Sequence, residues 1–305
     1  MKAVICTKYG PPEVLILTQV EKPVPKDNEI LVAIKATAVN SGDVRVRALA
    51  VEGFLKIVMR FVLGFTKPRK PILGTVFSGI VAQVGSKVQN FSAGDEVYGI
   101  TGFRFGTYAE YIAVAEKSVI THKPANATFE EAAAILFGGQ TAIYFLQKAK
   151  IAERVNPSVL IYGATGAVGT AAVQLAKYYH ARVTAVCSSN GQDLANKLGA
   201  DKVILYDKED LSQIPEKFDI FFDAVGKAPQ KQALNMLNKG GSYQTVGGLD
   251  VADDKIEQLQ LLRTLFEQGS YQATIDRVFT LDEIVEAHRY VDTGRKKGNV
   301  VVKIP

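Results

Sequence analysis

Val159-Leu-Ile-Tyr-Gly-Ala-Thr-Gly-Ala-Val-Gly-Thr-Ala-Ala-Val-Gln-Leu-Ala-Lys177 decides the fold. Val159 to Tyr162 reads as a buried strand. Gly163, Gly166 and Gly169 make a glycine turn, and an apolar helix follows to about Tyr179. A strand that feeds a helix through such a turn aims the helix N-terminus, with its free N–H groups and positive dipole end, at whatever lies above it. Glycines let the backbone approach a pyrophosphate and let the helix lie close on the strand. The spacing is G-x-x-G-x-x-G, with Ala164 in place of a glycine, so the motif alone is weak; a glycine bend without a ligand is the alternative.

Outward from this stretch the chain alternates strand and helix. Arg182 to Cys187 is a second strand, Gln192 to Leu198 a helix ended by Gly199, and Val203 to Leu205 a third strand. Phe218 to Asp223, Gln230 to Leu237 and Ser242 to Val246 continue as strand, helix and strand. This order predicts a parallel, doubly wound sheet. Upstream, Glu130 to Phe137 begins a helix capped by Thr128 and Glu131, interrupted at Gly138-Gly139 and resumed over Gln140 to Ala149.

Residues 1–125 read as all-β. Val4 to Thr7, Leu15 to Val20, Ile30 to Val39, Gly79 to Val84, Gly94 to Tyr98 and Tyr108 to Val114 are short strands separated by turn clusters, the pattern of a small barrel. Phe54 to Phe65 breaks that pattern: apolar, with Lys56 and Arg60. Lining of a ligand cleft or plain core packing is expected of it, and membrane contact is the disfavoured alternative. Beyond Gly248 a helix (Lys255 to Gln268), a strand (Ala273 to Phe279), a helix (Leu281 to Thr293) and a strand (Asn299 to Ile304) complete the chain.

The 305 residues suffice for two domains. A net charge of +5 spread along the chain is a weak pointer to an anionic ligand and a poor one to nucleic acid, which is not expected as a partner. Cys6 and Cys187 give no disulfide framework, and Met1-Lys-Ala-Val-Ile-Cys6 carries no apolar signal core; a cytoplasmic setting is expected.

Taken together, Ala38-Val-Asn-Ser-Gly-Asp43, Gly74 to Val81, Val88 to Tyr98, Gly106-Thr-Tyr-Ala-Glu-Tyr111, Gly139-Gln-Thr-Ala142, the glycine turn, Leu198 to Val203, Phe218 to Gly226 and Gly298-Asn-Val-Val-Val302 carry a resemblance by order and spacing. The chain resembles the zinc-independent, zeta-crystallin-like quinone oxidoreductases of the medium-chain dehydrogenase/reductase superfamily. That resemblance implies an α/β protein, with a GroES-like β-barrel catalytic domain (1–125 and 270–305) and a Rossmann doubly wound parallel sheet (126–269), the active site lying between them. It implies NADPH-dependent hydride transfer to a quinone or an α,β-unsaturated carbonyl. An NADPH-binding structural or sensory protein with little turnover is the other reading.

Site residues follow from the same resemblance. In zinc alcohol dehydrogenases a cysteine stands at the position of Asn40, and a histidine and a glutamate at Thr75 and Val76. None of these ligands is present, so no metal site is expected. His122, His180 and His288 read as surface or helix positions. Asn40 and Thr141 are expected near the nicotinamide, with a local turn amide and a helix cap as their alternatives. Gly163, Ala164, Thr165, Gly166, Ala167 and Val168 are expected at the diphosphate. The second strand ends in Ser188, Ser189 and Asn190 with no acid to hold a ribose hydroxyl, which favours NADPH. Tyr206 is expected near the adenosine phosphate, Val225, Gly226, Val246 and Gly247 along the cofactor, and Asn299 against it. Asp223 reads as structural. No general acid stands out among Tyr9, Asp43, Tyr108 and Tyr144. The short span from Gly248 to Lys255 shortens or removes the sixth strand that usually forms a dimer contact, which leaves a homodimer open.

Overall fold

The computed structural model describes residues 1–50, 53–248 and 250–305. The chain folds into two compact units. The first comprises Met1–Leu136, Lys255–Glu267 and Ile275–Pro305, and the second Phe137–Asp254 and Gln268–Thr274.

The first unit begins with β1 (Lys2–Cys6) and β2 (Leu15–Gln19), an antiparallel pair. The long strand β3 (Glu29–Val39) follows, then helices α1 (Ser41–Ala48) and α2 (Gly53–Leu63), and strands β4 (Val76–Val84), β5 (Glu96–Ile100), β6 (Tyr111–Ala115) and β7 (Ile120–His122). Helix α3 (Phe129–Lys148) begins here and continues into the second unit.

The second unit holds β8 (Ser158–Tyr162), α4 (Ala167–Tyr178), β9 (Arg182–Cys187), α5 (Gln192–Lys197), β10 (Lys202–Leu205), β11 (Phe218–Asp223), α6 (Gln230–Asn235) and β12 (Leu237–Thr245). Helix α7 (Ile256–Glu267), β13 (Ile275–Thr280), α8 (Ile284–Asp292) and β14 (Asn299–Lys303) then return to the first unit.

In the first unit β3 is the organising strand. It pairs antiparallel with β4, β6 and β14, and the seven-stranded sheet reads β13-β14-β3-β4-β5-β7 with β6 on β3. Its core joins Ile30, Val32 and Ile34 to Phe77, Tyr108, Val300 and Val302, and to one stripe of α8. That stripe is Ile284, Ala287, His288 and Val291, spaced i, i+3, i+4, i+7 as on any half-buried helix.

The second unit is a five-stranded sheet of order β10-β9-β8-β11-β12, every pair parallel. This is the doubly wound order, in which the chain reverses direction across the sheet beside β8. Helix α4 is buried from Ala167 through Ala176, consistent with its Ala, Val and Leu composition. Among the described residues β12 is the last strand on its side.

Three expectations change. Helix α3 runs unbroken through Gly138-Gly139, because Gly138 is a packing position: a Cβ there would stand 2.3 Å from the Ala167 carbonyl oxygen. Helix α1 interrupts the all-β reading of residues 1–125, started by the capping box that Asn40 and Asp43 form. Helix α7, counted with the Rossmann segment, groups with the first unit; the Tyr98 hydroxyl donates to the Leu259 carbonyl at 2.5 Å and Glu267 accepts from the Ala125 amide.

Candidate functional site

The glycine turn after β8 separates into two kinds of position. Gly163 adopts φ +79°, and a Cβ there would meet Val225 at 2.5 Å. At Gly169 a Cβ would stand 2.1 Å from the Gly163 carbonyl oxygen, so this glycine exists to let α4 lie on its own strand. Gly166 differs. It is the N-cap of α4 with φ −78°, and a Cβ there would touch only the Gly163 oxygen, at 3.7 Å. Packing within the chain therefore demands glycine at 163 and 169 and leaves room at 166. A fixed helix N-terminus with room at its cap suits an incoming diphosphate. The Gly163 and Ala164 amides both donate to the Val186 carbonyl, at 2.9 and 3.0 Å, so the first turn residues hold β8 to β9. The amides of Ala167 and Val168 open α4, where a helix has no carbonyl of its own to offer them.

Asp223 organises the next two loops at the same sheet edge. Its buried carboxylate accepts from the amides of Val225 (3.2 Å), Gly226 (2.8 Å) and Ala228 (3.0 Å), and from the Thr245 hydroxyl (3.1 Å). Thr245 in turn accepts from the Gly247 amide. Gly226 and Gly247 face each other so closely that a Cβ on Gly226 would lie 2.6 Å from the Gly247 Cα. These two glycines pack loop against loop, with Val246 between Thr245 and Gly247.

Beyond β9, Ser188 is the N-cap of a short 3-10 turn made by Ser189, Asn190 and Gly191 before α5. The Ser189 amide donates to the Asp207 carboxylate at 2.9 Å, and hydrogen bonding from Ser189 holds the Asp207 carboxyl below the usual range. An acid therefore does stand beside this turn, delivered by the residues after β10 rather than by β9. Sequence spacing counted along one strand could not find it. Tyr206, its neighbour, is half exposed. Thr141 lies in mid-α3, where its hydroxyl donates to the Phe137 carbonyl at 2.7 Å; it is not a helix cap.

In the first unit, Asn40 caps α1. Its Oδ1 accepts from the Asp43 amide (3.0 Å), the Asp43 carboxylate accepts from the Asn40 amide (3.1 Å), and the Asn40 Nδ2 donates to the Thr75 hydroxyl at 2.8 Å. An amide and a hydroxyl bonded to one another, next to the buried apolar Val76, offer no thiolate, imidazole or carboxylate. These residues do not fit a catalytic zinc. Asn299 opens β14 and is buried.

Behind Asn40 lies a buried polar cluster that spacing did not reveal. Asp43, Tyr108 and His288 are fully buried, and Arg47 is 2% exposed. His288 Nε2 lies 3.2 Å from the Tyr108 hydroxyl and its Nδ1 lies 3.4 Å from Arg47. Arg47 also donates to the Gly10 carbonyl and, twice, to Asp292. His288 is thus a core residue and not a surface one, as its place in the α8 stripe indicates. Asp43 and Tyr108 are sealed from solvent, and the Tyr9 hydroxyl donates to the Gly64 carbonyl. None of these three is presented as a proton donor.

Burial, reinforced by Arg47, lowers the His288 pKa from 6.5 to about 3. Burial raises the Asp43 pKa from 3.8 to about 7, against the hydrogen bond from the Asn40 amide. Their linkages oppose. The depressed histidine contributes stability that is complete above about pH 6.5 and is lost as pH falls toward 3. The raised carboxyl contributes stability that is complete below about pH 3.8 and is lost as pH rises through 7. His288→Gln is therefore expected to flatten the acid limb only. Urea unfolding of both proteins at pH 4 and pH 7 should show the wild type losing on the order of 3 kcal/mol more than the variant between those values. Equal losses would mean the imidazole is not held neutral.

Residues 26–125 match the family described as alcohol dehydrogenase GroES-like domain, and residues 167–281 the family described as zinc-binding dehydrogenase. The second match covers neither Asn40 nor Thr75. The chain is 35% identical to a 2-methylene-furan-3-one reductase of Solanum lycopersicum, over 99% of this chain and 79% of that protein. It is 30% identical, with the same coverage, to an NADPH-dependent alkenal/one oxidoreductase of Arabidopsis thaliana. Among solved structures, the quinone oxidoreductase from Coxiella burnetii superposes with a TM-score of 0.88 at 29% identity, covering 100% of this chain and 99% of that one. A two-unit chain with a GroES-like part and a doubly wound parallel sheet, matched end to end by such relatives, is an oxidoreductase that belongs to the quinone oxidoreductase branch of the medium-chain dehydrogenase/reductase superfamily.

Proposed function

We propose that the protein reduces quinones or α,β-unsaturated carbonyls with NADPH and without zinc. The room beside Gly166, against none beside Gly163 and Gly169, carries this assignment: no atom of the chain fills the space above the first turn of α4, which stays open to a ligand. The names of the tomato and Arabidopsis relatives supply the substrate class and the nucleotide. NADPH, when bound, supplies the hydride. The amides that open α4 receive the diphosphate charge, and the Asp223 network holds the Val225–Gly226 and Val246–Gly247 loops in place. Asn40 and Thr75, bonded to each other, hold neutral polar groups where zinc relatives carry ligands. Water supplies the proton, since Asp43 and Tyr108 are enclosed.

Ser188, Asn190 and Tyr206 are assigned to the 2′-phosphate, with Asp207 as an opposing charge. Asp207→Asn keeps an acceptor for the Ser189 amide and removes the negative charge. It is expected to tighten NADPH about fivefold and to leave NADH within about twofold. Calorimetric titration of both nucleotides checks this; an unchanged NADPH-to-NADH ratio would remove Asp207 from the selectivity account.

The function itself is tested by following loss of reduced nicotinamide absorbance with a panel of small quinones, enals and enones. Turnover on at least one class is expected. Tight NADPH binding with no turnover on any would favour a binding protein of this fold.

A further inference from the structure

Helix α2 carries an apolar face that no described part of the chain covers. Ile57, Val58, Phe61 and Val62 are 54, 37, 59 and 56% exposed. Met59 and Leu63, on the opposite side, pack against the first unit's core. The helix is therefore anchored by one face and bare on the other, so cleft lining or core packing explains only half of it. The bare face continues past the helix end: Phe65 is 52% exposed and meets Phe61 edge to face with ring centroids 4.9 Å apart.

Charge sorts around this stripe by sign. From Gly53 to Lys70 the chain has Lys56, Arg60, Lys67, Arg69 and Lys70 and no Asp or Glu. All five cations are exposed, and among the described residues none forms an ion pair. Lys56 and Arg60, four apart, flank the apolar face on the helix. The other three follow in a turn that is itself tied down: the Tyr9 hydroxyl donates to the Gly64 carbonyl at 2.9 Å and the Arg69 amide to the Leu63 carbonyl at 2.6 Å. The pattern is a short amphipathic element with a cationic rim.

We infer that α2 and the turn to Lys70 dock this protein onto the surface of an anionic lipid bilayer. Bulky apolar side chains bordered by lysine and arginine match the two layers of a membrane interface, acyl chains beneath and anionic headgroups above. A helix of 11 residues lies in that interface rather than across it, and no helix among the described residues is long and apolar enough to cross a membrane. A second copy of the chain is a poor occupant, because two such faces would bring ten like charges together. Docking of this kind is independent of the assignment of NADPH and substrate.

Co-sedimentation with vesicles tests it. Pure phosphatidylcholine vesicles are compared with vesicles containing about one third phosphatidylglycerol, at low and at raised salt. Binding at least about tenfold stronger to the anionic vesicles is expected, weakened about tenfold by salt near 0.5 M. The charge variant K56E/R60E and the apolar variant F61S/V62S change exposed side chains only, so their thermal midpoints should match the wild type. Each should lose about tenfold in vesicle binding. Membrane docking is overturned by equal binding to both vesicle types, by variants that bind as the wild type does, or by sedimentation velocity showing that the face is instead consumed in self-association. It is equally overturned if the variants leave vesicle binding alone and change only KM for enone substrates.

Discussion

Gly166→Leu is expected to abolish NADPH binding in a protein that still folds. The side chain enters open space, with one backbone contact at 3.7 Å, and the residue's φ of −78° is one that leucine adopts freely. Replacing a glycine cap by an apolar residue costs about 1 kcal/mol. The same branch fills the space above the first turn of α4, so nucleotide affinity should fall more than about a hundredfold. Gly169→Val should do the reverse. Its Cβ would lie 2.1 Å from the Gly163 oxygen and 2.7 Å from Ala164 backbone, neither of which can move without shifting β8. A loss of about 4 kcal/mol or more, with insoluble or unfolded protein, is expected. Paired thermal melts and nucleotide titrations separate the two. If Gly166→Leu binds NADPH normally, the diphosphate lies elsewhere.

Arg47→Met should be the most damaging change away from the glycine turn. Methionine keeps much of the apolar stem and removes the planar fork that joins Gly10, His288 and Asp292. A buried group left without its partner ordinarily costs about 3–5 kcal/mol. Asp292 keeps about a third of its side chain in water, which places the expected loss at the lower end of that range. Arg47→Lys should recover little, since one ammonium cannot reach three acceptors in a plane. A second signature follows from charge. Without the guanidinium, one cause of the depressed His288 pKa disappears, so the acid limb of the stability profile should move to higher pH and shrink. Urea midpoints across pH 4 to 7 read both effects. A loss under about 1 kcal/mol would mean that the cluster contributes little to holding the β1–β2 turn, α1 and α8 together.

Why some of this was legible and some was not has physical reasons. The short apolar runs Arg182–Cys187 and Phe218–Asp223 give strands whose ends the structure reproduces, because burial on both faces leaves mostly apolar residues there. The Asn40–Asp43 capping box was equally plain in the sequence, but a ligand role for Asn40 obscured the helix it starts. Gly138-Gly139 misled for the opposite reason. Glycine in a helix usually marks weakness, and here it marks another backbone 2.3 Å from where a Cβ would be. The polar cluster was out of reach because its members come from α1, the approach to β6, and α8. Asp207 was out of reach because it meets Ser189 across neighbouring strands. Spacing along a chain reports one element at a time; charges that meet across elements need coordinates.

Turnover after exhaustive dialysis against a strong metal chelator tests the central claim most directly. The proposed seat of NADPH on the glycine turn, together with a neutral Asn40–Thr75 pair, predicts that oxidation of NADPH by an enal or a quinone saturates with nucleotide and keeps its full rate in the chelated protein. A rate that disappears with the chelator and returns with added zinc would contradict the account, as would a failure of NADPH to bind saturably.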